Sequence, residues 1–251
     1  MRLRNLLFGL ILTAGSASAT PSLQLDIFGP GTFYDDGSTS YVASPDGETV
    51  LSGSDTFTLY AYGNTTNGNG DPASLDLQHF ISVAVVPKGT NTEFGSFDIA
   101  GNTYMASDLT FGTPPIEATS NPILGGHGVF ETLFLEVGFY FDPQITRSDV
   151  NVQTSPGTDP TTNPGDAIAY VPFAVDTSGL LDGFELHFDL YNINVKKNGD
   201  ITLGDFAPFS HDAGTSGDTP PFVRVPEPGT LAIFSLGLVL ISGFLRGRKK
   251  H

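Results

Sequence analysis

The chain has 251 residues, no cysteine, and 11 basic against 27 acidic side chains, a formal net charge of −16. With the two terminal segments described below set aside, residues 20–226 hold 5 basic and 26 acidic residues, a net of −21. Such a body repels nucleic acid and anionic lipid headgroups, which excludes DNA, RNA or peripheral-membrane binding by it. The absence of cysteine excludes thiolate chemistry, Cys-ligated metals and a disulfide framework, so the fold must rest on an apolar core.

The N-terminus carries Arg2 and Arg4, then an almost continuously apolar run from Leu6 to Gly15, then Ala17-Ser18-Ala19. A basic start, a short greasy core and a small-x-small site form a cleavable export signal over residues 1–19, with Ala17 and Ala19 at the signal-peptidase site. An uncleaved anchor is the rival, but the apolar core is about ten residues where a span needs about twenty.

Residues 20–209 are punctuated by glycine and proline, and no stretch sustains an amphipathic helical stripe. Apolar residues instead recur at every second position. "SLQLDIF" places Leu23, Leu25 and Ile27 on one face, and "DTFTLYAY" does the same with Phe57, Leu59 and Ala61. The polar loop Tyr62 to Ser74 follows, then the apolar run "FISVAVV" from Phe80 and the shorter "FGSFDIAG". "ETLFLEVGFYFDP" turns Leu133, Leu135, Val137, Phe139 and Phe141 inward. A second Pro/Gly-rich stretch, Val152 to Asp166, is expected to lie exposed. "AIAYVPFAV" is a strand that Pro172 pushes toward a sheet edge. In "DGFELHFDLYNINV", Phe184, Leu186, Phe188 and Leu190 share the inner face while Glu185, His187, Asp189 and Tyr191 take the polar one.

Alternation of this kind fits antiparallel sheets that each show one side to water. The expected fold is all-β: a single antiparallel, jelly-roll-like β-sandwich over 20–209, filled by phenylalanine. Residues 210–224 form a polar linker.

Candidate chemistry in the body is sparse. The histidines, His79, His127, His187, His211 and His251, show no metal-binding spacing. Ser210-His211-Asp212 are adjacent and cannot converge as a triad; His211-Asp212 is expected to cap or pin the last strand. No GxSxG elbow is present. With 26 acids, close carboxylate pairs carry no signal for a glycosidase. No enzymatic activity, no catalytic residue and no cofactor are expected, with Ca²⁺ as the one metal option. "KKNGDITLGDF" sets Asn198, Asp200 and Asp205 around two glycines, oxygen donors of the kind Ca²⁺ takes. An ordinary Asn-Gly turn accounts for the same residues.

The last segment, residues 225–251, changes character. Val225-Pro226-Glu227-Pro228 precedes an uncharged run, spanning about residues 230–245, that is near the shortest able to cross a bilayer. Arg246, Arg248, Lys249 and Lys250 then form a basic stop, which under the positive-inside rule leaves the body outside. Leader, soluble body, V-P-E-P, short apolar helix and basic end together resemble the PEP-CTERM sorting signal, also catalogued as an ice-binding-protein C-terminal segment. No threonine ladder supports ice binding itself.

The resemblance implies a Gram-negative bacterium that makes extracellular polysaccharide. It further implies a membrane-embedded exosortase that processes the protein near the Pro-Glu-Pro. In the body, "LQLDIFGPGTFYD", "DTFTLYAY" and "APFSHDAG" resemble the choice-of-anchor N proteins, which have no assigned activity.

The implied function is an exported surface or matrix protein, structural or adhesive, that accompanies exopolysaccharide. Signal peptidase and exosortase are its export partners, the C-terminal helix its membrane contact, and nucleic acid is excluded. The alternatives are a carbohydrate-binding or Ca²⁺-dependent adhesion module and, behind it, a secreted hydrolase.

Overall fold

The computed structural model of the protein describes residues 22–35, 49–65, 75–117, 124, 128–153, 155–208 and 212–215. The leader 1–19 with Ala17 and Ala19, His127, His211, and the whole tail from Val225 to His251 lie outside these residues. Among the described residues no helix is long and apolar enough to cross a membrane.

The described chain is built from strands and two short 3₁₀ turns. In order the strands are β1 (Leu23–Phe28), β2 (Phe33–Asp35), β3 (Thr49–Ser52), β4 (Thr56–Asn64), β5 (His79–Val86), β6 (Ser96–Ile99) and β7 (Asn102–Met105). Then come β8 (Thr110–Gly112), β9 (Thr132–Phe139), β10 (Thr146–Arg147), β11 (Ile168–Asp176), β12 (Glu185–Val195), β13 (Ile201–Phe206) and β14 (Asp212–Thr215). They form two sheets. The first runs β1-β4-β11-β6-β7 with β10 also on β11; the second runs β2-β3-β14-β12-β5-β9-β8 with β13 also on β12.

The alternation seen in sequence sets what lies between the sheets. From the first sheet, Leu25 pairs with Ala61, Ile27 with Leu59, and Leu59 with Phe173, all buried. From the second, Leu186, Phe188 and Leu190 stand beside Val85, Val83 and Ile81. Aromatic rings bridge the layers edge to face: Phe57 with Phe188 at 6.1 Å between centroids, and Phe139 with Phe173 at 5.2 Å. Edge-to-face contact is the arrangement that ring quadrupoles favour. The expected phenylalanine-filled sandwich is what the chain builds.

Four features differ from the expectation. First, the sandwich is not purely antiparallel, because β14 runs parallel to β3. Second, β14 lies beyond residue 209 yet inserts between β3 and β12, so the folded body extends at least to Thr215. Third, β11 is not an edge strand: it pairs along its whole length with β4. Pro172 is tolerated because its nitrogen points to the other side. The Tyr170 N–H two residues earlier donates that way, to the Ile145 carbonyl at 3.1 Å, and β10 and β6 pair only with the two ends of β11. The missing N–H thus falls in the gap between two partial neighbours.

Fourth, the outer faces are not simply wet. Residues 148–153 and 155–160 pack over the outer side of β1, where the Gln24 amide donates to the Val150 carbonyl at 3.0 Å and accepts from the Val152 N–H at 3.1 Å. On the second sheet, a smaller apolar cluster of Leu124, Val129, Phe130, Phe134, Tyr191 and Leu203 covers part of the outer face.

Candidate metal centre and the buried polar clusters

Two side chains that the alternation assigns to the polar face of the second sheet, His187 and Asp189, are enclosed together with Asp212, expected in a cap. His187 is 0 % exposed, Asp189 4 % and Asp212 1 %. His187 and Asp189 are two apart on β12 and therefore share a face. Asp212 arrives from β14, which pairs with β12 through His187–Gly214 and Phe188–Ala213. The Leu186 N–H donates to Thr215 Oγ1 at 2.8 Å and fixes that end of β14.

The cross-strand neighbours of His187 are Ala84 on β5 and Gly214 on β14, both small, which leaves lateral room for the imidazole. His187 Nε2 lies 3.5 Å from Asp189 Oδ1 and 3.4 Å from Asp212 Oδ2. One ligand atom from each of the three falls within 4.8 Å of the others. Ser82, fully buried on β5, stands directly across from Asp189 on the same face, and its hydroxyl makes no hydrogen bond to a described residue.

A second polar cluster lies on the outer face of the first sheet. Arg147 of β10 is 1 % exposed. Its Nη1–H donates to Tyr62 Oη at 3.2 Å, its Nε–H to the Ser148 carbonyl at 3.2 Å, and its guanidinium carbon sits 5.4 Å from the Tyr62 ring centre. Nearby Asp26 Oδ1 accepts from the Gly157 N–H at 2.8 Å and the Ile27 N–H at 2.9 Å. Burial pushes the Asp26 carboxyl up to about 7, against the pull of those two amides, the Thr158 amide and the Arg147 charge.

The consequence has a definite sign. The unfolded chain releases this proton near its ordinary 3.8, while the folded chain holds it to about 7. Between these values the folded state carries the extra proton, so stability falls as pH rises through the window and levels off above it. Asp26→Asn keeps an oxygen for both amides and removes the titration. It is expected to raise stability at about pH 8 by roughly 2 kcal/mol and to change little at about pH 4. Urea titrations at the two pH values check this; a destabilised variant at the higher pH would show that Arg147 keeps Asp26 ionised.

The residues expected to offer Ca²⁺ ligands are only partly brought together. Asn198 and Asp200 meet at the β12–β13 hairpin, where the Asn198 amide donates to Asp200 Oδ2 at 2.6 Å and Asn198 Oδ1 accepts from the Asp200 N–H at 3.2 Å. Gly199 takes a φ of +86°, as the Asn-Gly turn requires. Asp205 is not with them. It pairs with Asn192, accepting from its amide at 3.1 Å and donating its own N–H to Asn192 Oδ1 at 2.7 Å. Asn192 in turn meets His79 Nε2 at 3.4 Å. His79 Nδ1–H donates to the Leu77 carbonyl at 3.0 Å, and burial pushes this imidazole below its usual range. Asp205 thus clamps β13 to β12.

An open groove of about 550 Å³ lies on the other half of the first sheet's outer face. Its walls include Phe28, which is 41 % exposed, with Thr56, Thr58, Asp98 and Asp176. Asp98 and Asp176 are direct cross-strand neighbours. Hydrogen bonds from the Ser178 hydroxyl and N–H hold Asp176 below the usual carboxylate range, so it stays ionised.

Sequence reasoning saw His187 and Asp189 only as water-facing residues and missed Asp26 and Arg147. The signals present were an H-x-D pair on one strand face and a lone arginine far from other basic residues.

By fold the chain is an all-β protein of two face-to-face sheets. Residues 224–249 match the PEP-CTERM protein-sorting motif, so the chain carries that motif and the export and exosortase-dependent, membrane-associated sorting it implies. The match covers the tail alone and leaves the body unmatched, including the stretches that resemble choice-of-anchor N proteins. No curated protein and no solved structure matches the chain.

Proposed function

We propose that this is an exported surface or matrix protein whose sandwich serves a structural or adhesive role alongside exopolysaccharide after exosortase removes the tail. The observation that carries the reading is the sorting motif at 224–249 behind an acidic, cysteine-free body. A net charge of −21 on residues 20–226 keeps such a body soluble outside the cell. The body acts without chemistry of its own: no catalytic role is assigned to any residue.

The groove favours carbohydrate as the adhesive target. The exposed Phe28 ring offers an apolar face for sugar C–H groups, and Thr56, Thr58, Asp98 and Asp176 offer hydroxyl and carboxylate oxygens to sugar hydroxyls. Mass spectrometry of the protein from culture medium and envelope is expected to find body peptides with exopolysaccharide and none from 246–251. Phe28→Ala is expected to lower retention on that polysaccharide severalfold. Surface protein that still carries Arg248 to His251 would make it a plainly anchored protein, and unchanged retention would remove the groove from the reading.

A further inference from the structure

We propose that His187, Asp189 and Asp212 hold one divalent first-row transition ion of the Zn²⁺ class, a structural staple between β12 and β14. The first support is geometric. The distances from His187 Nε2 to the two carboxylate oxygens, 3.5 and 3.4 Å, exceed the usual range of an N–H···O hydrogen bond. They match the edge of a tetrahedron with ligand bonds of about 2.0–2.1 Å, which is about 3.3–3.4 Å.

The second support is charge. With His187 protonated, the enclosed trio still carries a net negative charge. A neutral imidazole, two carboxylates and a divalent cation sum to zero, the condition under which burial of such groups costs least.

The third is Ser82. Its buried hydroxyl, across from Asp189 and making no hydrogen bond to a described residue, supplies the fourth oxygen, directly or through a water. The donor set selects the ion. Ca²⁺ takes oxygen donors almost exclusively, whereas an imidazole nitrogen with two carboxylates suits Zn²⁺ and its neighbours. Coordination through Nε2 leaves the imidazole proton on Nδ1.

The test uses the full chain, purified in detergent, stripped with chelator and then given Zn²⁺ or Ca²⁺ alone. One Zn²⁺ per chain is expected after gel filtration. At free Zn²⁺ about a hundredfold above Kd the melting temperature should rise by roughly 5–10 °C. Ca²⁺ at the same concentration should do neither.

His187→Ala and Asp212→Asn should each weaken Zn²⁺ binding at least tenfold, and Ser82→Ala less. If His187→Ala fails to give the sheet signature in circular dichroism, Asp212→Asn and the near-isosteric Asp189→Asn carry the test. No Zn²⁺ bound to the intact chain would overturn the site. So would stoichiometric binding undiminished in both Asp variants, or an Asp212→Asn chain that melts higher than the original in chelator and ignores Zn²⁺. That last result would mark the trio as a protonated histidine between two carboxylates.

Discussion

Phe188→Ala is expected to destabilise the protein by about 4 kcal/mol. The side chain is fully buried at the centre of the second sheet, with Val83 on one side and Ala213 on the other, and its ring meets Phe57 of the opposite sheet edge to face. Truncation removes that contact and opens a cavity that two sheets pinned by their own ladders cannot collapse to fill. The corresponding fall in melting temperature is roughly 8–16 °C. Urea unfolding followed by circular dichroism measures it, and a loss below about 1.5 kcal/mol would show that the sheets close over the gap.

Arg147→Ala should cost about 3–5 kcal/mol, although arginine is seldom a core residue. The substitution strips Tyr62 Oη and the Ser148 carbonyl of a donor inside an enclosed layer, and it removes the guanidinium from the Tyr62 ring. It also removes the charge that pulls the Asp26 carboxyl down, so the Asp26 proton should be held to a still higher pH. A double-mutant cycle with Asp26→Asn separates the two effects: the coupling should be visible at about pH 8 and vanish at about pH 4, where Asp26 is protonated in any case. Equal losses at both pH values would assign the role of Arg147 to packing and hydrogen bonding alone.

The sandwich was legible in sequence because its long strands obey a local rule. The period-two pattern of β12 put Leu186, Phe188 and Leu190 inward, and the same rule found β1, β4, β5, β9 and β11. What it could not reveal was the fate of the opposite face. Whether His187 meets water depends on segments far away in the chain, and alternation carries no information about them. Strand β14, "DAGT", has no large apolar residue and no alternation to notice, so Asp212 looked like part of a cap. β10 is two residues long, too short for any periodicity, and hid the position of Arg147. Pro172 misled for a related reason: its effect depends on which side of the strand its nitrogen faces, and partner topology decides that. The sorting tail was legible without any structure, because bilayer thickness and leaflet charge act on composition directly.

The position of β14 bears on how the chain reaches its destination. Only nine residues separate Thr215 from Val225, and β14 is the wedge that joins β2–β3 to the rest of the second sheet. A chain threaded from its N-terminus delivers that wedge last. Until it emerges, the half-built layer has two raw borders, so translocation must run nearly to completion before the sandwich can lock. Premature closure on the wrong side is thereby disfavoured by the order of the chain itself.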